Sequence, residues 1–507
     1  MTSARQKADD FLKVASHFKL GSLPTEMQHS LTGDLADLAR HNIPAALSLF
    51  HKIDSNLLEV LSQKIDSIKK LEEAIKETFA AGGRVFFYGC GATGRLSLSL
   101  EYLWRFMHKG DEKADHVYGF MSGGDLALVH SIENFEDHPE YGAQQVREAG
   151  FSENDLLISC TEGGETPSVI GATEEAARMS KRKPFFLYCN PDEALRAVAE
   201  RSARVLDNDR IEKINLTVGP MALSGSTRLQ ASTILMLAAG MALFGYGSEE
   251  LENFQKFWAG FSSDFLAPFI EQEAAFYQAG DYLLYETNIY GMTMLTDTTE
   301  RSPTFSLRAF ENQNDAARKP ALAYFRFPHI EDAEKAWEEI LLRQPRTIEW
   351  DILRAIAGHE RLLGFDFSSE ALAQRQSLVG VRRIHTFSIK REGNKMAFDF
   401  AGLHHEIDIK PLPSLFEHIF LKCLLNAHST LVMGRLERYE SNVMTWVKPS
   451  NKKLIDRAIR YVEHLLRHEG VAPPSYEDIC HVLFKQAELM GPEDSIVLET
   501  VKAIKAL

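Results

Sequence analysis

Residues 85–95 read Val-Phe-Phe-Tyr-Gly-Cys-Gly-Ala-Thr-Gly-Arg. The first four form an apolar run of strand length, and the glycines that follow predict a tight turn into a helix. Glycines let a backbone approach a ligand closely, and the start of a helix offers free N–H groups to an anion. The segment therefore predicts a strand, a turn and a helix in succession, with a candidate anion cradle in the turn.

Apolar runs of the same kind recur after this segment, separated by stretches with helical spacing. They are His116–Met121, Leu156–Ser159, Phe185–Cys189 and Ile214–Val218. Together with the first run they predict an α/β domain built on a doubly wound, mostly parallel sheet. A helix predicted from Thr227 to Phe244 closes this unit.

A second, weaker alternation follows in the later half of the chain. Its apolar runs are Tyr282–Tyr285, Ala321–Phe325, Leu362–Phe365 and Arg383–Ser388, and a predicted helix from Pro413 to Gly434 ends it. The shared pattern predicts two related α/β domains in tandem. We expect a helical N-terminal segment at 1–50, domains at 51–248 and 249–448, and a helical C-terminal cap at 449–507.

Composition is that of an ordinary globular protein, with 45% hydrophobic and 25% charged residues. The formal net charge is -15, which disfavours nucleic acid and anionic membranes as partners. The sequence starts without a signal-peptide pattern, and the most apolar stretch, Ile234–Phe244, is too short to span a bilayer. The five cysteines are odd in number and lack C-x-x-C spacing, which predicts reduced thiols and no metal site. We therefore expect a cytoplasmic protein.

A second polar turn, Thr-Glu-Gly-Gly-Glu at 161–165, follows the third predicted strand. Loops at the carboxyl ends of parallel strands converge on one crevice, so the two turns together favour a phosphate cradle. The two glutamates count against it, because carboxylates repel phosphate. A dinucleotide site also fits the first turn, but it requires an acidic residue where the second strand ends in Phe120-Met121. A glycine turn needed only for packing stays open as well.

Local sequence does not single out Glu136 or Glu300. Glu136 lies near the start of a short predicted helix, where acidic side chains usually interact with the helix dipole. Glu300 precedes Arg301, and such neighbours are usually a surface ion pair of little energetic consequence. Any role of these carboxylates has to come from longer motifs.

Taken together, the motifs resemble those of the sugar isomerase (SIS) domain family, in the branch of N-acetylmuramic acid 6-phosphate etherase and glucokinase regulatory protein. The matching stretches are Gly89–Leu96, Ser122–Asp125, Glu136-Asp137, Gly219 with Ser224–Leu229, Asp297–Phe305 and Asn451–Leu454. Several motifs in the correct order are more specific than one glycine turn. The tandem arrangement resembles the regulatory protein, which carries two SIS domains of flavodoxin-like fold and a helical lid, whereas the etherases have one such domain per subunit and dimerise.

The resemblance implies one site built from both domains. It places the general base at Glu136 and the general acid at Glu300, and it implies neither a metal nor an organic cofactor. Contacts with a sugar phosphate are implied for Gly91, Thr93, Gly94, Thr161, Gly163, Asn451 and Lys453. The chain departs from the etherase pattern at Gly163, Glu165 and Gln230, where etherases carry Ser, Arg and Lys. These departures weaken the expected binding of phosphate or carboxylate.

On this resemblance we expect a carbon–oxygen lyase that cleaves the lactyl ether of N-acetylmuramic acid 6-phosphate, or of a close analogue, by acid–base elimination. Two alternatives stay open: a non-catalytic phosphosugar sensor that regulates a partner such as a sugar kinase, and a sugar-phosphate isomerase. A phosphosugar is the expected ligand in each case. The sequence leaves open whether the chain is a monomer, acting as a pseudo-dimer, or a homodimer.

Overall fold

The computed structural model of the chain describes residues 3–18, 20–132, 135–447, 449, 452–491 and 494–506. Two five-stranded sheets, each flanked by helices, form an α/β protein with helical segments at both ends. The predicted fold class, two α/β units with mostly parallel sheets in tandem, is confirmed.

The first sheet is parallel throughout. Its strands lie in the order β2-β1-β3-β4-β5, with the bounds β1 Val85–Gly89, β2 Val117–Met121, β3 Leu156–Thr161, β4 Phe185–Tyr188 and β5 Glu212–Asn215. Because β1 lies between β2 and β3, the direction of strand order reverses beside it, and a crevice opens at the carboxyl ends of β1 and β3. Both polar turns predicted from the sequence start at this crevice.

One strand of this sheet differs from its prediction. β5 starts earlier than the predicted Ile214–Val218 and ends at Asn215. The Asn215 side-chain oxygen accepts the Thr217 N–H (3.0 Å) and the Thr217 hydroxyl (2.6 Å), which turns the chain out of the sheet.

Helices precede and cover the first sheet. The four that precede it are α1 Ala4–Leu12, α2 Leu35–His41, α3 Ile43–Ser62 and α4 Ile65–Ala80. Those that follow its strands are α5 Ala92–Met107, α6 Pro139–Glu148, α7 Pro167–Met179, α8 Asp192–Val198, α9 Glu200–Leu206 and α10 Gln230–Phe244. α10 starts at Gln230, later than the predicted Thr227, and Leu229 precedes it without a side-chain cap.

The second sheet has the order β10-β9-β8-β6-β7. Its strands are β6 Tyr282–Glu286, β7 Ala323–Arg326, β8 Ile384–Glu392, β9 Lys395–Phe400 and β10 Leu403–Asp408. β6 pairs in parallel with β7 and β8, whereas β8, β9 and β10 form an antiparallel meander that the sequence did not predict. The predicted strand at Leu362–Phe365 is wrong: these residues begin in a helix, as short apolar runs also permit.

Helices again surround this sheet and end the chain. Those of the second half are α11 Ser248–Ala259, α12 Leu266–Gln278, α13 Gly291–Phe305, α14 Ala333–Leu341, α15 Arg354–Ala357, α16 His359–Leu363, α17 Ala371–Val379 and α18 Ser414–Arg435. The last three are α19 Lys452–His468, α20 Tyr476–Leu489 and α21 Ile496–Lys505. No helix in the described part of the chain has the length and apolar character needed to cross a membrane.

The two long helices α10 and α18 form the centre of the molecule. α10 is buried from Gln230 to Leu243, and α18 is buried from Leu415 to Gly434. A Cβ atom on Gly240 would lie 2.6 Å from a methyl group of Leu415, so glycine permits the close approach of these helices. The apolar helix that closes each half therefore packs against its counterpart, which joins the two halves.

Buried ion pairs accompany this apolar contact. Arg228, just before α10, donates to Asp297 on α13 at 2.8 Å. Asp297 also accepts from Arg301 (2.9 Å), which donates to Glu273 (2.9 Å). Each buried charge thus has an opposite partner, which avoids the cost of an unpaired charge in the core.

Candidate functional site

The glycine turn joins β1 to α5 and is shaped by contacts within itself. Gly91 has a φ of +56°, a left-handed conformation that favours glycine. A Cβ atom on Gly94 would lie 2.5 Å from Met121 Cβ, so only glycine lets α5 approach the end of β2. The Thr93 hydroxyl donates to the Cys90 carbonyl (2.8 Å) and accepts the Cys90 N–H (3.0 Å). Thr93 is buried and holds the turn, whereas Gly91 is partly exposed.

Glu300 lies on α13 of the second half and contacts the first half. Its Oε1 lies 2.5 Å from Nη1 of Arg95, without the geometry of a regular hydrogen bond. Arg95 Nε also donates to Thr299 Oγ1 (3.2 Å), across 204 positions of sequence, and Thr299 donates to the Leu128 carbonyl (2.9 Å). These contacts seat the carboxyl group of one half beside the glycine turn of the other.

Glu136 lies in a single 3-10 turn between β2 and α6. Its Oε2 accepts from the Cys90 thiol at 3.5 Å, which places the carboxyl group against the glycine turn. Burial raises the pKa of Glu136, the charge of Lys453 opposes this, and the charge of Glu165 adds to it. A carboxylate with a raised pKa is a stronger base once it is ionised.

The turn after β3 carries Thr161 and Gly163. The Thr161 hydroxyl accepts the N–H of Gly164 (3.3 Å) and lies 3.2 Å from the Thr166 hydroxyl. Gly163 is partly exposed, and its carbonyl accepts from the Asn190 side chain (3.0 Å). The hydroxyl groups of Thr93 and Thr161, both predicted to contact phosphate, are thus engaged within their own turns.

Lys453, near the start of α19, reaches this second turn. Its Nζ donates to Glu165 Oε1 at 2.6 Å, and Glu165 also pairs with Arg201. Although burial alone would raise the pKa of Glu165, the two cations lower it to about 2. The ammonium group predicted to bind phosphate is therefore bonded to an ionised carboxylate of the same chain. Asn451, predicted beside it, lies outside the described residues.

Glu162 was not among the site residues predicted from the sequence. Its side chain is buried, and its Oε1 has no hydrogen-bond partner among the described residues. Burial raises the pKa of Glu162 to about 8, and the charge of Glu300 adds to the effect. Glu162 therefore carries a proton at neutral pH. One feature of the sequence points to Glu162: it directly follows a predicted buried strand, at the edge of a parallel sheet where ligands bind.

Four glutamates thus lie close enough for their charges to act on one another or on the glycine turn, and we call them the glutamate cluster: Glu136, Glu162, Glu165 and Glu300. Their charges act on common neighbours. Burial raises the pKa of the Cys90 thiol, and the charges of Glu136 and Glu162 both add to this. The structure therefore brings the predicted base and the predicted acid to one region, with both polar turns and Lys453.

The five cysteines are free thiols in the structure. Because burial raises the pKa of Cys90 well above its ordinary value, this thiol is neutral at neutral pH and a poor nucleophile. Among the described residues, no three or more His, Cys, Asp and Glu side chains form a group suited to a metal ion.

Comparison with known proteins identifies relatives of part of the chain. The glucokinase regulatory protein N-terminal SIS domain matches residues 66–177, a segment that includes both polar turns and Glu136. The N-acetylmuramic acid 6-phosphate etherase of Crocosphaera subtropica is 31% identical over 227 residues, which cover 44% of this chain and 68% of that enzyme. The etherase of Rippkaea orientalis is 31% identical over 39% of this chain and 60% of that enzyme. The etherase of Synechococcus elongatus is 33% identical over 42% of this chain and 64% of that enzyme. The chain therefore spans less than two thirds of the length of these last two relatives.

Similar solved structures are more distant in sequence. Tagatose-6-phosphate ketose/aldose isomerase from Escherichia coli is 12% identical with a TM-score of 0.40, over 80% of this chain and 99% of that chain. A Clostridium novyi protein is 11% identical with a TM-score of 0.44, over 81% of this chain and 92% of that chain. The sequence identity to the etherases and the match to the regulatory protein are the stronger findings. On these grounds the chain belongs to the SIS domain family, in the branch of the glucokinase regulatory protein and the N-acetylmuramic acid 6-phosphate etherases.

Proposed function

We propose that this chain binds a phosphosugar at the glutamate cluster and cleaves the lactyl ether of N-acetylmuramic acid 6-phosphate or a close analogue. One observation carries the proposal: beside the glycine turn, Glu136 of the first half and Glu300 of the second half lie near the buried Glu162, whose pKa is raised to about 8. Similarity to the etherases supplies the reaction class. The proposed reaction uses the carboxyl groups of this cluster and an anchor for the phosphate.

The elimination starts from the open-chain aldehyde form of the sugar, in which the carbonyl acidifies the proton on carbon 2. Ionised Glu136 removes this proton, and the bond from carbon 3 to the lactyl oxygen breaks as the double bond forms between carbons 2 and 3. The departing oxygen takes a proton from the acid. Water then adds across the double bond, returning a proton to carbon 2 and a hydroxyl group to carbon 3.

We assign the role of general acid to Glu162, and we assign to Glu300 the role of keeping Glu162 protonated. Similarity to the etherases points to Glu300, but its carboxyl group is engaged by Arg95 at 2.5 Å. Glu162 has a pKa of about 8, because it is buried and because the charge of Glu300 acts on it. We therefore place the proton on Glu162 and give Glu300 the task of keeping it there. Two carboxyl groups in different protonation states are what acid–base elimination needs.

A second candidate function is favoured by the contact between Lys453 and Glu165. A phosphate that binds Lys453 must share or displace this carboxylate, which is bonded at 2.6 Å. Lys453 belongs to α19, outside both sheets, so such binding would act on the C-terminal helices. This arrangement suits a phosphosugar sensor that regulates a partner such as a sugar kinase without catalysis.

Release of D-lactate from N-acetylmuramic acid 6-phosphate tests the lyase. We expect release by the unaltered protein, and a loss of roughly 100-fold or more in Glu136→Gln and Glu162→Gln, the size typical of acid–base groups. The matched control is Glu153→Gln, because Glu153 is an exposed glutamate that pairs with Lys181 and lies away from the cluster. It should release lactate at the unaltered rate.

The absence of lactate would contradict the lyase. If fructose 6-phosphate nevertheless raises the melting temperature, and Lys453→Gln abolishes that rise, the sensor is supported. Interconversion of aldose and ketose phosphates without lactate release would instead indicate an isomerase.

A further inference from the structure

The second sheet ends in an unpaired edge at its last strand. β10 lies at the end of the strand order and, in the part of the chain that the structure describes, pairs only with β9. An edge strand presents a row of backbone N–H and C=O groups that can pair with a strand of another chain. β10 contains neither proline nor glycine, so each of its residues can take part in such pairing.

The turn between β9 and β10 sets which backbone groups are used inside the sheet. Ala401 and Gly402 both have positive φ, as in two-residue turns whose flanking residues bond to each other, here Phe400 and Leu403. Bonding to β9 then recurs at every second residue of β10 from Leu403 onwards. Just past the strand, the Ile409 N–H donates to the carbonyl of the residue that precedes β9 (2.8 Å), which continues the same series.

The intervening residues of β10 are His404, Glu406 and Asp408. Their N–H and C=O groups face away from β9, and their side chains are exposed. The alternate residues turn their side chains to the opposite, inner face, where the His405 ring stacks on Phe265 with 4.0 Å between the ring centres. The outer edge of the sheet therefore combines unused backbone groups with charged side chains.

The charges along this edge alternate in sign. His404 Nδ1 lies 2.6 Å from Asp399 Oδ1, and this hydrogen bond raises the pKa of His404, which favours the cationic ring. Glu406, two residues on, pairs with Lys395 of the neighbouring strand. Exposed charges at an edge usually oppose pairing with an arbitrary strand. The alternation restricts pairing to a strand that carries complementary charges.

We propose that β10 pairs antiparallel with β10 of a second copy of this chain, about a twofold axis between the two His405 residues. In that register His404 of each copy lies opposite Glu406 of the other, so opposite charges face each other on both sides of the axis. Registers centred on His404 or on Glu406 would place like residues opposite each other. Asp408 falls opposite Gly402 in the turn, where it meets no like charge.

The inner face of the strand is compatible with the same register. Burial and the charge of His404 lower the pKa of His405, so the two rings at the axis are neutral at neutral pH and do not repel each other. Leu403 falls opposite Ile407, which extends the apolar face of the sheet. The interface contains no residue of the glutamate cluster. It therefore holds or fails independently of lactate release.

Sedimentation velocity over a range of protein concentrations measures the assembly. We expect a reversible dimer. His404→Glu places a carboxylate opposite Glu406 of the other copy and should weaken dimerisation by roughly tenfold or more. The double variant His404→Glu/Glu406→Lys restores opposite charges and should restore the dimer. His359→Glu alters an exposed histidine on α16 and should leave dimerisation unchanged.

Cysteine cross-linking tests the register. Residues opposite each other without mutual hydrogen bonds, as proposed for His405, have Cα atoms about 4.5 Å apart, which suits a disulfide. His405→Cys should therefore give a disulfide-linked dimer under mild oxidation. His404→Cys is the matched control, because position 404 lies opposite Glu406 and not opposite itself. Neither this control nor the unaltered protein should form the cross-link.

A dimer that His404→Glu weakens and that the double variant restores supports the proposal, as does cross-linking at position 405. A chain that stays monomeric at all concentrations overturns it and leaves the edge to an extended segment of another protein. A dimer that His404→Glu leaves intact, or cross-linking at position 404 instead of 405, also overturns it. Urea unfolding verifies that each variant is folded, and if His404→Glu is not, the two cysteine variants decide.

Discussion

Among single residues, Glu162 has the clearest consequence for activity. With a pKa of about 8 it is protonated below that pH and ionised above it, so the rate of lactate release should fall as the pH rises through about 8. The pKa of Glu136 is raised above its ordinary value of 4.5, and the rate should also fall as the pH drops towards it, because a protonated base cannot accept the carbon 2 proton. We expect a bell-shaped pH profile.

The variant Glu162→Gln tests whether Glu162 causes the fall in the rate of lactate release at high pH. Glutamine cannot donate a carboxyl proton, so the fall near pH 8 should disappear from a rate already reduced by about two orders of magnitude. The control Glu153→Gln should keep the bell shape. A Glu162→Gln profile that still declines near pH 8 would assign that limb to another group.

Among the elements, the segment that follows α14 ties the second half to the first. Arg343 donates to Asp125 (2.6 Å) and to Glu101 on α5 (3.0 Å), and Arg346 donates to Glu101 (2.9 Å). The Arg346 guanidinium also lies 3.4 Å from the centre of the Tyr118 ring. Asp125 thus holds the other half of the chain.

Removal of Glu101 tests this junction. Glu101→Ala leaves Arg343 and Arg346 without a common buried carboxylate, so the free energy of unfolding should fall by about 3–5 kcal/mol. Urea unfolding measures the change. Glu112→Ala removes an exposed glutamate nearby and should change it by less than about 0.5 kcal/mol. Equal unfolding midpoints for the two variants would contradict a structural role of the junction.

In the whole molecule, Glu26 joins the N-terminal segment to the C-terminal helices. Its carboxylate accepts from Arg457 (2.6 Å) and Arg460 (3.2 Å) on α19. Although burial alone would raise its pKa, Arg457, Lys453 and Arg460 lower it to about 2. Because this pKa lies below the ordinary 4.5, Glu26 contributes stability that is complete above pH 4.5 and is lost as the pH falls towards 2.

Glu26→Gln should therefore change stability in two ways. It should lower the free energy of unfolding at neutral pH by about 3 kcal/mol, because the buried Arg457 and the partly buried Arg460 lose a carboxylate partner. It should also flatten the dependence of that free energy on pH between about 5 and 2. Urea unfolding at several pH values measures both, and parallel curves for the two proteins would refute the assignment.

Local sequence is sufficient to predict a strand and the turn after it where the strand's own residues carry a clear apolar pattern. β1 and β3 are buried along their whole length, so their apolar runs and the turns after them are visible without tertiary contacts. In the second half the meander of β9 and β10 was not predicted, since both strands mix exposed charged residues with apolar ones. The predicted strand at Leu362–Phe365 is wrong because three apolar residues and a glycine fit a strand or a helix equally well.

The glycine turns and the SIS resemblance could be found in the sequence because they depend on backbone conformation and on the order of motifs. The protonation of Glu162 and the partners of Glu300 and Lys453 could not be found in the sequence. Lys453 and Glu165 are 288 positions apart in the sequence, and Arg95 is 204 positions from its partner Thr299 on α13. The pKa of a carboxyl group depends on its burial and on the charges within a few ångströms, and only the packing of the two halves sets both.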